Sequence, residues 1–331
     1  MTEAAVPPRA PLWLDLLRLA RPEYWFKNGF MLLGVVLAVF YRRQTAGAWP
    51  AGLETWWQVA VGFAATCVIA SSNYALNEWC DLESDRHHPE KRRRPLAAGR
   101  LPAWSAAVLW AVLAAAGMSL AMLVNRPFAA AGGALWCMGV VYNVRPIRAK
   151  DWPYIDVLTE SVNNPLRLFL GWFTILPDCV PPLSLIFAYW MAGAFFMAAK
   201  RLAEKRSLAS DETAGRYRPS LGRYHENDLL MQMFFYASAG SLLLGVFIVR
   251  YHVELILAVP LMAGVFAAYL RLTLAPGSPA QQPERLYRER WLMSYLAVCL
   301  VVFTILMFVE WPWLRTLINV DASGVPPIWQ L

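Results

Sequence analysis

The sequence is short of charge. Lys, Arg, Asp and Glu make up 16% of its 331 residues and hydrophobic residues 58%, a balance that excludes an ordinary soluble protein. Organised cysteine chemistry is missing too. Cys67, Cys80, Cys137, Cys179 and Cys299 are odd in number and form no CxxC, so they read as small apolar residues rather than disulfide or metal sulfurs. No internal repeat and no low-complexity stretch stands out. The N-terminal residues carry no signal-peptide pattern. A Pro/Ala-rich tail leads instead into Trp13-Leu-Asp-Leu-Leu-Arg-Leu-Ala, the pattern of a short amphipathic helix lying on a membrane surface.

What is present is a series of apolar runs long enough to cross a bilayer as helices. Nine spans are expected: 25–41, 56–79, 103–124, 127–142, 154–176, 182–199, 228–250, 252–270 and 291–310. The fourth is short and the fifth carries polar residues. With a cytoplasmic N-terminus, 24 of the 30 Lys and Arg residues fall on one side of the bilayer. That asymmetry predicts orientation by the positive-inside rule, with the C-terminus outside. The net charge of +7 is then a property of the cytoplasmic face and gives no reason to invoke nucleic acid. The expected organisation is a cytoplasmic tail and interfacial helix (1–24), an all-α, multi-pass, nine-helix membrane domain (25–310) and an outer interfacial tail (311–331). Trp56, Trp57, Trp311 and Trp313 fit an interfacial aromatic belt.

Polar residues interrupt this pattern in four places. At the end of the second span, Asn73, Asn77, Glu78, Asp81, Ser84 and Asp85 fall within a sector of roughly 140° at helical spacing, before Pro89 stops the helix. A solvated helix end balanced by Arg86 and Lys91 would account for one carboxylate there. Asn-x3-Asp-x3-Asp on a single face points instead to a hard cation, and Mg²⁺ shares its shell with substrate phosphates. Lys91, Arg92 and Arg94 follow at once, suited to a polyanion. A second cluster runs from Tyr142 through Lys150, Asp156 and Glu160 to Asn163, Asn164 and Arg167. It reads either as a polar network holding the bundle or as a second metal or phosphate locus facing the first. A buried arginine must pair, and Glu160 or Asn163 is its nearest helical candidate. A third cluster, Lys200, Arg201, Glu204, Lys205 and Arg206, closes the sixth span, with Arg216, Arg218 and Arg223 in the loop after it; topogenic charge is the plain alternative, and Lys200 and Arg201, at the membrane boundary, are the better candidates for ligand. The fourth, Arg21-Pro-Glu-Tyr-Trp-Phe-Lys27-Asn28, opens the first span, where snorkelling alone could account for Lys27.

With these clusters laid out, the chain resembles the UbiA superfamily of intramembrane prenyltransferases, nine-helix bundles with two Asp-rich motifs on cytoplasmic loops. Asn77, Asp81 and Asp85 match the first motif. Within the superfamily it looks most like the decaprenyl-phosphate phosphoribosyltransferase branch. The shared features are Arg-Pro-x-x-Trp-x-Lys-Asn at 21–28, Asn-x3-Asp-x-Glu-x-Asp-Arg-x-His-Pro-x-Lys-Arg-x-Arg-Pro-x-Ala-x-Gly at 77–99 and Lys-Arg-x-x-Glu at 200–204. Lys150, Asp156 and Arg167 sit at that branch's spacing around the fifth helix. Three positions depart from the pattern. Glu78 stands where Asp is frequent, Asn163-Asn164-Pro165 should kink the fifth helix, and Asp156-x3-Glu160 is not a paired-Asp motif.

The resemblance implies an Mg²⁺-dependent glycosyltransferase of the bacterial inner (cytoplasmic) membrane, its active site facing the cytoplasm, acting in cell-envelope biosynthesis. It would move 5-phosphoribosyl from phosphoribosyl diphosphate (PRPP) to a polyprenyl phosphate lipid. Asn77, Asp81 and Asp85 would hold the metal. Lys150, Asp156 and Arg167 would join them in catalysis. Arg21, Lys27, Asn28, Lys91, Arg92, Arg94, Tyr142, Glu160, Lys200, Arg201 and Glu204 would bind substrate. The alternative is the commoner superfamily reaction, prenylation of an aromatic or related acceptor from a polyprenyl diphosphate. Two polyanionic substrates need more cations than one diphosphate and a nearly neutral ring, and Lys150, Arg167, Lys200 and Arg201 favour the former. A transporter would place its polar residues at the midplane in paired broken helices; here the carboxylates collect at the cytoplasmic end. A homo-oligomer is compatible with the sequence.

Overall fold

The computed structural model describes residues 11–47, 52–86, 91–208, 210–281, 286 and 288–318. The His87–Glu90 stretch of the basic loop and much of the two expected tails lie outside the described residues. The described residues form helices α1 (Leu12–Ala20), α2 (Met31–Ala46), α3 (Leu53–Cys80), α4 (Leu82–Arg86), α5 (Ala103–Val124), α6 (Arg126–Asn143), α7 (Ile155–Ser161) and α8 (Asn163–Phe173). They continue as α9 (Leu183–Arg206), α10 (Asp211–Tyr217), α11 (Pro219–Arg223), α12 (Glu226–Tyr251), α13 (Val259–Leu274), α14 (Arg290–Phe308) and α15 (Pro312–Leu317).

Seven segments are long and apolar enough to cross a membrane, Leu12–Ala46 counting as one of them. The chain is an integral membrane protein. Helix occupies all nine expected stretches, but the two with the weaker signal differ from the rest. The fourth is the 18-residue α6. The fifth is broken at Val162 into α7 and α8, three residues before Pro165, whose ring cannot be accommodated against a preceding helical turn.

Helix α3 packs along α5, α9 along α12 and α2 along α8. The α2–α8 contact depends on glycine. A Cβ on Gly34 would collide with the Leu168 carbonyl, and one on Gly171 with the Met31 carbonyl. Small residues let membrane helices approach backbone to backbone, where packing rather than water expulsion holds them together. Close approach here sets α8 beside the stretch that leads into α2. Asn125 joins α5 to α6. Its side chain accepts the Phe128 N–H at 2.8 Å and donates to the Phe173 carbonyl at 2.7 Å, capping α6 and tying it to the end of α8.

One apolar groove of 380 Å³ lies between α3 and α5, lined by residues such as Trp57, Val61 and Leu123. It sits at the end of α3 opposite Asn77 and offers no charged group. The chemistry-bearing side chains collect elsewhere, where α3, α6, α7 and α9 end or begin.

Candidate active site

Helix α3 ends at Cys80, and Asp81 turns the chain into the short α4, which carries Asp85. Asn77 and Asp81 stay on one face. Asn77 Nδ2 donates to Asn143 Oδ1 at 2.6 Å. Asp81 Oδ1 accepts from Lys150 Nζ at 2.6 Å and Arg148 Nη2 at 2.9 Å. Lys150 also donates to Asn143 Oδ1 at 2.8 Å. Asp85 Oδ2 is paired with Arg94 Nη1.

Arg148 holds this corner together. It donates further to Asp151 at 2.9 Å and to the Cys80 and Asn143 carbonyls at 3.2 and 3.4 Å. Its backbone lies in the left-handed region, φ 34°, which costs a non-glycine residue energy and persists only where its surroundings over-determine it. Four bonds from one guanidinium supply that.

The electrostatics follow the geometry. Burial opposes the charge on Asp81, but Lys150, then Arg148 and Lys91, outweigh it and hold the carboxyl below the ordinary aspartate value. At Asp85 burial prevails over Arg94 and Lys91, and the carboxyl is raised. Burial, reinforced by Arg94 and Arg218, brings Lys91 down to about 8. Lys150 is also pushed below the usual lysine range by burial, with Asp81 opposing. Residues 81–86, 91–100 and 144–151 carry nine basic side chains and four acidic ones, and Lys91, Arg94, Arg148 and Lys150 act directly on Asp81 or Asp85. A surplus of that size prepares the corner for a polyanion.

Among the described residues no group of three or more His, Cys, Asp and Glu side chains is placed to hold a metal by itself. A divalent ion that shares its shell with phosphate oxygens and water needs only one or two carboxylates. Asn77 Oδ1, Asp81 Oδ2 and Asp85 Oδ1 take no part in the bonds above, so each residue keeps one hard oxygen for such an ion. The donor set fits Mg²⁺.

The second acidic cluster is arranged differently. Asp156 is fully buried. Its Oδ1 accepts from the Tyr224 hydroxyl at 2.7 Å, and its Oδ2 from Ser220 Oγ at 3.1 Å and Arg201 Nε at 3.2 Å. Arg218 stands 3.7 Å from that same oxygen. Glu160 pairs with Arg201 and accepts from the Tyr142 hydroxyl at 2.7 Å. Glu204 pairs with Arg201 at 2.8 Å. Protein donors thus satisfy both Asp156 oxygens. Of the two readings of this cluster, the structure supports the polar network rather than a second metal locus.

Other expected site residues are placed as follows. Arg21 is 2.8 Å from Glu78 Oε2, and Glu78 Oε1 accepts the Leu96 N–H at 3.2 Å. Glu78 therefore faces α1 and the loop, away from Asp81, and clamps both. Arg167 does not pair with Glu160. It donates to Asn28 Oδ1 at 3.1 Å and to the Asn163 carbonyl at 3.2 Å. Lys27 Nζ lies 4.5 Å above the Tyr24 ring. Arg92 is exposed on the loop. Lys200 is half-buried and bears on Glu160 and Glu204. Sequence reasoning missed Ser220 and Tyr224, and gave no individual role to Asn143, Arg148 and Arg218, which lie in or beside its polar clusters. For those three the signal was their position in polar runs beside spans; nothing marked Ser220 or Tyr224.

The fold is an apolar helical membrane bundle with a carboxylate-and-cation corner at one end. The chain belongs to the UbiA prenyltransferase family, whose model matches residues 35–296. The decaprenyl-phosphate phosphoribosyltransferase of Mycolicibacterium smegmatis is 32% identical over 229 residues, covering 68% of each chain. That of Corynebacterium glutamicum is 32% identical over 218 residues, 63% of this chain and 59% of that one. In fold, the chain is similar to the solved UbiA homolog from Archaeoglobus fulgidus bound to DMAPP and Mg²⁺. The TM-score is 0.65, with 89% of this chain and 100% of that one covered at 19% identity.

Proposed function

We propose that this protein transfers a 5-phosphoribosyl group from PRPP to a polyprenyl phosphate at the cytoplasmic face of a bacterial inner membrane, with Mg²⁺, releasing diphosphate. The observation that carries this is the cation surplus around a corner offering only two carboxylates and an amide. One diphosphate and a nearly neutral ring would leave much of that charge unanswered, whereas PRPP and a lipid phosphate bring three phosphate-bearing groups. The phosphoribosyltransferases at about 32% identity support the same substrates.

Asn77, Asp81 and Asp85 would hold Mg²⁺ through the oxygens left uncommitted. When bound, the ion supplies neutralisation of the charge that develops on the departing diphosphate. Lys91 and Arg94 would receive the diphosphate oxygens from the loop side, where PRPP arrives from water. Arg148 and Lys150 hold Asp81 ionised before substrate comes, so the corner is preorganised. The acceptor phosphate is already an anion and needs positioning rather than a general base. The Arg201 network acts by fixing α7, α9 and α11 behind the corner, making Asp156, Glu160 and Glu204 positioning residues.

The test uses purified protein with PRPP labelled in the ribose, Mg²⁺ and polyprenyl phosphate, and follows label into lipid together with diphosphate release. Product from a polyprenyl diphosphate and an aromatic acceptor alone, with none from PRPP, would establish the prenylation alternative.

A further inference from the structure

Asn143 ends α6 and is 3% exposed. Three hydrogen bonds converge on its side chain. Its Nδ2 donates to the Gly139 carbonyl, one turn back, at 2.9 Å. Its Oδ1 accepts from Lys150 Nζ at 2.8 Å and from Asn77 Nδ2 at 2.6 Å. A lysine ammonium only donates and a backbone carbonyl only accepts, so a single orientation of the Asn143 amide satisfies both. Reversed, its NH2 would face the ammonium and its oxygen the carbonyl, a costly mismatch for a buried group.

That orientation dictates the next one. Only the NH2 end of Asn77 can answer the Asn143 oxygen, which leaves Asn77 Oδ1 turned away from α6. Without such a partner an asparagine amide is ambivalent, because its two ends are alike in size and water can serve either. For a cation they are not alike. The oxygen is a hard ligand, whereas the reversed amide would present N–H groups to the ion.

The seam between α3 and α6 keeps the pair in reach. Asn73, one turn before Asn77, donates to the Leu135 carbonyl of α6 at 2.9 Å. A Cβ on Gly139 would collide with the Asn73 side chain. Gly139 therefore admits α3 at short range and, through its carbonyl, aims Asn143. Lys150 bonds Asp81 and Asn143 with the same ammonium, so the cation that faces Asp81 also fixes the amide behind Asn77. We propose that Asn143 is a positioning residue: it holds the Asn77 amide with its oxygen outward, available to the divalent ion. This rests on the reading of Asn77 as a metal-holding residue and deepens it.

The experiment is a double-mutant cycle on the full-length protein, with wild type, Asn77→Ala, Asn143→Leu and the double variant each checked for monodisperse elution. Mn²⁺ binding is measured by electron paramagnetic resonance in the presence of inorganic diphosphate, so that the readout does not depend on turnover. Asn143→Leu keeps the volume and removes the acceptor; it should weaken Mn²⁺ binding about tenfold, the scale of losing a group that orients a metal ligand. Asn77→Ala should weaken binding at least as much. The double variant should bind within about twofold of Asn77→Ala alone, because once the ligand is gone its orientation no longer matters. Losses that multiply would show Asn143 acting by another route, through Lys150 for example, and would overturn the inference. So would wild-type affinity in Asn143→Leu beside a weakened Asn77→Ala, an outcome that leaves the metal reading standing. Unchanged binding in Asn77→Ala would instead sink the metal reading and this inference with it. If Asn143→Leu does not fold, Asn143→Ser carries the same cycle, since its shorter side chain cannot reach both Lys150 and Asn77.

Discussion

The two acidic clusters use the same residue types for opposite purposes. At the α3 corner Asp81 and Asp85 each keep an oxygen outside their ion pairs, their cations come from loops, and the Asp81 side chain is 16% exposed. In the α7–α9 network Asp156 is sealed, Arg201, Ser220 and Tyr224 donate to its two oxygens, and the Arg218 guanidinium adds charge from 3.7 Å without a hydrogen bond. A carboxylate can accept about four hydrogen bonds, so a sealed one holding three has little left for a ligand, whereas one with an oxygen uncommitted is ready for a cation. Buried ion pairs seldom add net stability, but breaking one strands a charge. The first cluster should therefore answer to mutation in activity, the second in folding.

That contrast can be broken by experiment. Asp81→Asn should lower kcat by about a thousandfold or more, because it removes electrostatic stabilisation at the reacting group, while the bundle stays folded with a lower melting temperature, since the buried Lys150 loses its carboxylate. Chelation of divalent ions should lower kcat likewise. Turnover that survives either treatment would remove Asp81 from the metal site. Arg201→Met should show the reverse, a stability loss of about 3–5 kcal/mol from three stranded carboxylates, read as a fall in detergent-solubilised thermal stability. If Arg201→Met folds normally and only loses activity, the network belongs to the site after all.

The pH dependence sharpens the comparison further. Lys91 is protonated below about 8 in the free protein, and only that form attracts diphosphate. Above that value kcat/KM for PRPP should fall by up to about tenfold per pH unit, and Lys91→Arg should flatten the decline. A profile unchanged by that substitution would assign the titration to another group. Tyr224→Phe is the mildest probe. It removes one of the bonds to Asp156 and should cost about 1 kcal/mol, with PRPP KM unchanged.

Much of the fold was legible before any coordinates. Long apolar runs separated by Pro- and Arg-rich loops admit few structures other than a helical bundle in a membrane, because lipid leaves backbone groups no partner outside the helix. The stretches that resisted were those whose apolar signal was weak: α6 is short, and α7 and α8 part at Val162 ahead of Pro165. Asn77, Asp81 and Asp85 were visible for a local reason, their helical spacing. The partners that decide their state were not. Arg148 lies 67 residues from Asp81 and Arg201 45 residues from Asp156, and no periodicity reports such distances. Spacing also grouped Glu78 with the metal-type residues, although the structure turns it toward Arg21 and Leu96.

By itself, the sequence determined that the chain is a membrane-embedded helical bundle and that one helix end concentrates carboxylates and cations, since both follow from hydrophobicity and a 3.6-residue period. Only the tertiary structure decided which carboxylates remain open, which are sealed, and that Arg167 meets no carboxylate among the described residues. Those outcomes depend on which donors distant segments bring within about 3 Å, and hydrogen bonds and ion pairs are satisfied or left wanting only at that range.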